Sequence, residues 1–342
     1  MKSMRLHKIV DLRKEKTPLR LENTPDPIPG DHEIIIKVST CGVCHTELDE
    51  IEGRTPPPKL PVIPGHQVVG YVTDKGKNAS RFRNGDRVGV AWIYSSCAKC
   101  EYCLNDLDNL CPHFKATGRD ADGGYAEYMK IQEDFAYLIP DFFTDEEAAP
   151  LFCAGAIGYR SLNLTQIKNG QSLGLTGFGA SAHLVLKLCS YIYPDTPIFV
   201  FARSEQERSF ALDLGATWAG ETSEKPPVQL HAIIDTTPVW KPILAALECL
   251  KPGGRLVINA IRKEEVDKSQ LLSLQYPEHL WMEKEVKSVA NVSKKDVSEF
   301  LTIAAKAGIK PQIQKYELKE ANQALLELKE RKIRGAKVLT IS

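Results

Sequence analysis

Short runs in which apolar and polar residues alternate, EIIIKVST and QVVGYVTDK among them, dominate the first 150 residues, separated by turn-forming clusters such as TPDPIPGD, GRTPPPKLP and NGD. A period of two sends successive side chains to opposite faces, so this stretch is predicted to be mainly β. From about Gly155 the pattern changes. Compact apolar runs (QSLGLTG, PIFVFA, HAIID, GGRLVINA) alternate with helical stretches (ASAHLVLKLCSYI, SEQERSFALDLG, PILAALECL). Strand and helix in that rhythm predict an α/β doubly wound parallel sheet, because parallel neighbours need a crossover between them. After about Ala290 the helix SKKDVSEFLTIAAKAG and the amphipathic segment LKEANQALLELKERK lead to a last strand, AKVLTIS, expected to rejoin the first domain.

The chain has 342 residues, which at about 150 per domain agrees with two domains. Lys plus Arg and Asp plus Glu both total 44, so the formal net charge is zero and no global field draws in nucleic acid or anionic lipid. Ala148 to Tyr159, 12 residues, is the longest run without charged or strongly polar side chains. A bilayer-crossing helix needs about 18, so no membrane span is expected. The basic start MKSMRLHKIVDLRKEK lacks the apolar stretch of a signal peptide, and a cytoplasmic location is expected.

Nine cysteines are more than a reducing compartment needs, and their spacing decides their use. Cys97, Cys100, Cys103 and Cys111 form two successive C-x-x-C steps and a seven-residue gap, in a segment of Lys, Glu, Asn and Asp rather than apolar residues. Two residues between thiolates allow a turn to aim both sulfurs at one centre, and four thiolates saturate a tetrahedral zinc. A closed, structural zinc is the expectation.

Following the predicted strand SLGLT, Gly177-Phe178-Gly179-Ala180-Ser181-Ala182 opens a helix. This is the G-x-G-x-x-G/A arrangement in its proper context: Gly177 for the tight turn, Gly179 for backbone approach to a pyrophosphate, Ala182 for helix packing, and the helix N-terminus for positive charge. The next strand ends at Ala202, followed by Arg203 and Ser204, where an acidic residue would favour the free ribose of NAD. An arginine there attracts a 2′-phosphate, so NADP is expected and NAD is the alternative.

Three further pieces, STCGVCHTELDEIEG, PVIPGHQVVG and EEAAPLFCAGAIGYRSL, complete a set. With the four-cysteine segment and the Gly-rich loop, the chain resembles the zinc-dependent alcohol dehydrogenases of the medium-chain dehydrogenase/reductase superfamily over nearly its whole length. The resemblance implies a GroES-like, mainly-β catalytic domain (1–154 and 291–342, with the zinc lobe at about 95–113) and a Rossmann cofactor domain (155–290). It implies a catalytic zinc on Cys44, His66 and Cys153, with Cys41 a non-ligating companion; Cys41, Cys189 and Cys249 are then packing residues. Two thiolates and an imidazole neutralise zinc and leave one position open, where a Lewis acid stabilises the alkoxide that expels hydride to nicotinamide. By the same resemblance Thr46 accepts the substrate proton, Glu47 orients His66, His45 and Lys337 touch cofactor phosphates, and Trp92 walls the substrate pocket.

Two positions depart from that pattern. Gln67 replaces a carboxylate beside the ligand histidine, a transient ligand at most, and Asp49 replaces a histidine that ends the proton relay, where a carboxylate is the weaker base. The expectation is a two-zinc, NADP- or NAD-dependent enzyme interconverting small alcohols with aldehydes or ketones, as a homodimer or homotetramer. An NADPH-dependent aldehyde, ketone or polyol reductase of the same superfamily is the alternative, as is a turnover-poor nucleotide- and zinc-binding protein.

Overall fold

The computed structural model describes residues 1–330 and 335–341. They divide into two units, residues 1–153 with 292 onward and residues 154–291.

In the first unit β1 (Glu33–Val43) runs into helix α1 (His45–Ile51), and β2 (Val68–Lys75), β3 (Arg87–Val90), β4 (Tyr128–Gln132) and β5 (Ala136–Leu138) follow. The second unit begins with α2 (Ala154–Thr165), then β6 (Leu173–Thr176), α3 (Ala180–Ile192), β7 (Ile198–Phe201), α4 (Glu205–Asp213), β8 (Trp218–Gly220), β9 (Leu230–Asp235), α5 (Lys241–Cys249), β10 (Leu250–Ile258) and β11 (Glu285–Ser288). The chain returns to the first unit with α6 (Lys294–Lys306), β12 (Ile313–Glu317), α7 (Ala321–Lys329) and β13 (Ala336–Thr340).

The first unit's sheet has the order β12-β13-β1-β2-β3-β5, with β4 on the other part of β1. β1 pairs antiparallel with β2, β4 and β13. Its core gathers Ile34, Ile36, Val38, Val68, Val72, Val88, Phe135 and Leu339, the apolar positions of the alternating runs. The last strand, β13, lies in this sheet beside β1.

The second unit's sheet is wholly parallel, in the order β8-β7-β6-β9-β10-β11. Strands β6 and β7 are buried at every position, which explains why they read as unbroken apolar runs: both faces are covered by helices. Strand order reverses between β6 and β9, the place where open parallel sheets leave a crevice at the strands' carboxyl ends. The edge strand β11 was not foreseen; its four residues are all exposed and show no alternation. Among the described residues no helix is long and apolar enough to cross a membrane.

Candidate active site

Antiparallel pairing brings the first two ligand candidates together. Cys41 in β1 lies opposite Val68 in β2, and the Gly42 N–H donates to the Gln67 carbonyl at 2.9 Å, so Cys44, just beyond the end of β1, sits near His66, just before the start of β2. Gly65 has φ +100°, and a Cβ there would stand 2.4 Å from the Tyr125 ring and 2.8 Å from the Cys41 sulfur; only glycine lets the chain deliver His66 so close to β1. The third candidate, Cys153, follows the turn Ala149–Phe152, and the preceding Asp145 anchors that segment by accepting from Ser39 of β1 and, at 2.7 Å, from Arg87 of β3.

The ligand atoms of Cys44, His66 and Cys153 all lie within 4.8 Å of one another. The two sulfurs are 3.8 Å apart, and sulfurs at about 2.3 Å from a tetrahedral zinc are separated by about 3.8 Å. His66 is buried, and its Nδ1 donates to Glu47 Oε1 at 2.5 Å. That bond fixes the tautomer and leaves Nε2, buried and without a hydrogen-bond partner, as the lone-pair donor. A buried nitrogen left unpaired beside two sulfurs is expensive unless an electrophile fills the gap. The donor set therefore fits zinc. Glu47 also accepts from the Cys44 N–H at 2.8 Å, closing the N-terminal turn of α1 and locking both ligands to one carboxylate.

Burial opposes a charge on His66, but the Glu47 carboxylate raises it well above the ordinary imidazole range. The Cys153 thiol beside Cys44 pulls Cys44 well below the usual thiol range, and Cys153 is pushed up in turn.

Thr46 is half-buried, with Oγ1 3.7 Å from the Cys44 sulfur, and His45 is exposed on the first turn of α1. Trp92 is buried with its Nε1 unpaired, its ring 5.2 Å from that of Phe114 and under the Arg119 guanidinium at 5.4 Å. Gln67 is buried, its side chain packed over Gly42 and outside the ligand trio. Glu50, not anticipated, is a buried residue of α1 with Oε1 unpaired; burial and then the charge of Glu47 hold its carboxyl well above the usual range.

Asp49 and Lys337 sit otherwise than expected. Asp49 is buried and its carboxylate accepts from Arg54 Nε at 2.5 Å; Arg54 also reaches Glu52, which pairs with Lys329. The carboxylate is thus tied to a guanidinium on the far side of the turn that ends α1, rather than standing free beside Thr46. Lys337 is buried, donating to Glu327 at 2.8 Å, Gln314 at 2.9 Å and the Tyr316 hydroxyl at 2.5 Å. All three ammonium protons are engaged inside the first unit, which leaves none for a cofactor phosphate.

The sulfurs of Cys97, Cys100, Cys103 and Cys111 also lie within 4.8 Å of one another, with separations of 3.5 and 3.9 Å among them. Left-handed turns at Ala98 and Asp106 bend the segment around the sulfurs, and the N–H groups of Cys97 and His113 point at Cys111 Sγ. The Lys99 N–H lowers the Cys97 thiol to about 6. Leu104 and Leu110 are exposed, so this lobe has little core to hold it, and four converging thiols of this kind fit a closed zinc. Cys41, Cys189 and Cys249 are buried outside both clusters.

In the second unit Gly177, at φ +79°, ends β6 in a left-handed turn. Gly179 caps α3 without any side-chain bond to the helix N–H groups; it and Ala180 are exposed, and the space where a Cβ would sit on Gly179 is open. Ala182 is fully buried, and Ser181 Oγ donates to the Ala154 carbonyl. This open cradle at a 13-residue helix fits a phosphate. Beyond β7, Ala202 is buried, Arg203 is exposed, and Ser204 caps α4 by accepting from the Glu207 N–H. Arg208, missed in the sequence, donates to the carbonyls of Ala202 and Arg203 at 3.0 Å each and so fixes the turn that presents Arg203.

Residues 30–141 match the family described as alcohol dehydrogenase GroES-like domain. A probable alcohol dehydrogenase, AdhA, of Mycobacterium tuberculosis is 40% identical over 95% of this chain and 93% of its own length. An alcohol dehydrogenase of Geobacillus stearothermophilus is 32% identical over 95% of this chain and 96% of its own. Among solved structures, the cinnamyl alcohol dehydrogenase SbCAD4 of Sorghum bicolor superposes with a TM-score of 0.86 at 27% identity, covering 99% of this chain and 97% of that one. The chain is therefore an oxidoreductase and belongs to the alcohol dehydrogenases of the zinc-type medium-chain dehydrogenase/reductase family.

Proposed function

We propose that this chain interconverts small alcohols with aldehydes or ketones, using NADP in preference to NAD, and that it carries two zinc ions. One observation carries the reading: the buried, unpaired Nε2 of His66, turned by Glu47 toward the sulfurs of Cys44 and Cys153. Zinc on those three residues supplies a Lewis acid to polarise the substrate oxygen, and the nicotinamide supplies or accepts the hydride.

The chain's own groups do the remainder. The Thr46 hydroxyl, beside Cys44 and half-buried, takes the proton of an alcohol as it releases its own to solvent, and runs the exchange backwards for a carbonyl, since a hydroxyl accepts and donates at once. Asp49, held by Arg54, is left out of that relay. Glu47 keeps His66 in one tautomer throughout. Trp92 and Phe114 present an aromatic wall that keeps water from the substrate. The N–H groups at the start of α3, through Gly179 to Ser181, hold the pyrophosphate, and Arg203 and Ser204 hold the ribose 2′-phosphate. Cys97, Cys100, Cys103 and Cys111 hold the second zinc, which fastens the lobe.

A second reading, an aldehyde reductase using NADPH, is favoured by that aromatic wall and by the likeness to a protein named cinnamyl alcohol dehydrogenase. It differs in working direction and pocket contents, not in chemistry. Nicotinamide absorbance followed with panels of alcohols and aldehydes, NADP(H) and NAD(H) in parallel, tests both; activity with no pair leaves the turnover-poor alternative. A second copy is expected to add to the sheet at the free edge of β11, where Val286, Trp281 and Met282 are exposed. Light scattering would report a dimer or tetramer, and replacing Val286 with Lys would shift it toward monomer.

A further inference from the structure

At the carboxyl end of the parallel sheet lies a buried ion pair that none of the roles above employs. Asp235, the last residue of β9, is fully buried, and Lys263, beyond the end of β10, is 7% exposed. Lys263 Nζ donates to Asp235 Oδ2 at 2.5 Å, to the Thr237 carbonyl at 2.7 Å and to the Val239 carbonyl at 3.1 Å. Asp235 Oδ1 takes the Thr237 hydroxyl at 2.8 Å, and the Glu264 N–H donates to the Pro238 carbonyl at 2.7 Å. Every proton of the ammonium is thus spent on Asp235 and the turn that follows it.

That turn is part of the crevice wall. Thr236 bonds through both its N–H and its hydroxyl to the Thr176 carbonyl at the end of β6, at 2.9 and 3.0 Å. A Cβ on Gly177 would stand 2.9 Å from Thr236 Oγ1 and 3.1 Å from Thr237 Cγ2, so the turn after β9 abuts the Gly-rich loop. β7, with Arg203 beyond it, lies on one side of β6, and β9 lies on the other. A dinucleotide whose pyrophosphate rests on the loop after β6 and whose adenosine ribose meets Arg203 must extend its other half toward the turn 236–239.

We propose that Lys263 and Asp235 are positioning residues for the nicotinamide half of the cofactor: they hold the turn 236–239 in the shape that receives it. This rests on the cofactor reading given above. A buried pair suits the task because removing either partner strands the other charge, so the turn has one arrangement rather than several.

Binding measured by calorimetry on the full-length protein tests this, with NADPH and NADH as whole dinucleotides and 2′,5′-ADP and AMP as their adenosine halves. In Lys263→Met the dissociation constant for the preferred dinucleotide is expected to rise about tenfold or more, while that for its adenosine half stays within about twofold. Lys263→Arg, which keeps the charge, should recover most of the loss. Thr237→Val, which removes a single bond to Asp235, should show a smaller loss of the same kind and serves if Lys263→Met does not fold. Unchanged dinucleotide affinity in these variants, or an equal loss for the adenosine half, would overturn the proposal. If the unaltered protein binds neither dinucleotide, the cofactor reading itself fails, an outcome recognisable before any variant is made.

Discussion

Replacing Glu47 with Gln changes almost nothing in shape and removes the one charge that organises the ligand trio. In the native chain one carboxylate oxygen takes His66 Nδ1 at 2.5 Å and the other takes the Cys44 N–H at 2.8 Å, with no solvent exposure. The amide of Gln offers a single acceptor oxygen, and its NH₂ opposes whichever of these two donors it faces. One donor must go unsatisfied, or the Gln must turn His66 to the other tautomer, which places the proton on Nε2 where the lone pair is needed. Losing such an orienting carboxylate typically costs 10–100-fold in metal affinity, about 1.4–2.7 kcal/mol. The turn of α1 loses at most one capping bond, worth about 1 kcal/mol, which for domains of this size lowers the melting temperature by about 2–4 °C. Competition against a chromophoric chelator separates the two sites: in Glu47→Gln one zinc should leave at roughly 10–100-fold lower chelator strength, while the other, in the four-cysteine lobe, is held as before. Both zincs retained with native affinity would refute the reasoning; so would loss of the lobe zinc.

Further outcomes are expected elsewhere in the molecule. Cys103→Ser should release the lobe zinc and lower the melting temperature, whereas Cys44→Ser should abolish turnover with little change in melting; equal melting of the two variants would contradict the division of roles. Arg203→Asp should lower the ratio of kcat/KM for NADP over NAD by about tenfold or more, since a charge-assisted bond is replaced by repulsion, and steady-state kinetics with both cofactors would show it. Lys337, with Tyr316 and Gln323, lowers the Glu327 carboxyl from 4.5 to about 2. A depressed folded value means stability that is present above about pH 4.5 and lost as the pH falls toward 2. The melting temperatures of the native chain and Glu327→Gln should therefore converge across that window, and parallel curves would show the pair to be inert.

The four-cysteine lobe was legible because its ligands sit within one short segment, where spacing alone limits what the sulfurs can reach. Cys44, His66 and Cys153 are far apart in the chain and became a set only through a family resemblance. The structure supplies the physical cause, an antiparallel return that sets the end of β1 beside the start of β2. The Gly-rich loop was readable from its place between a buried strand and a helix. Lys337 was read as a phosphate contact by resemblance alone; its partners Gln314, Tyr316 and Glu327 come from a strand and a helix that no local pattern links to it. Asp49 had a local partner, Arg54, only five residues away, but the resemblance that suggested a relay position says nothing of the bend that joins the two. Lys263 and Asp235 are joined only by the parallel pairing of β9 with β10, which sequence order implies but does not register.

Zinc removal and restoration tests the central claim most directly. Protein stripped by chelation just far enough to lose one zinc, then resupplied with zinc alone, should lose and regain nicotinamide-linked turnover of an alcohol or aldehyde in proportion to the metal at Cys44, His66 and Cys153. Turnover that survives loss of that zinc, or that never appears with the site fully loaded and either cofactor present, would contradict the account.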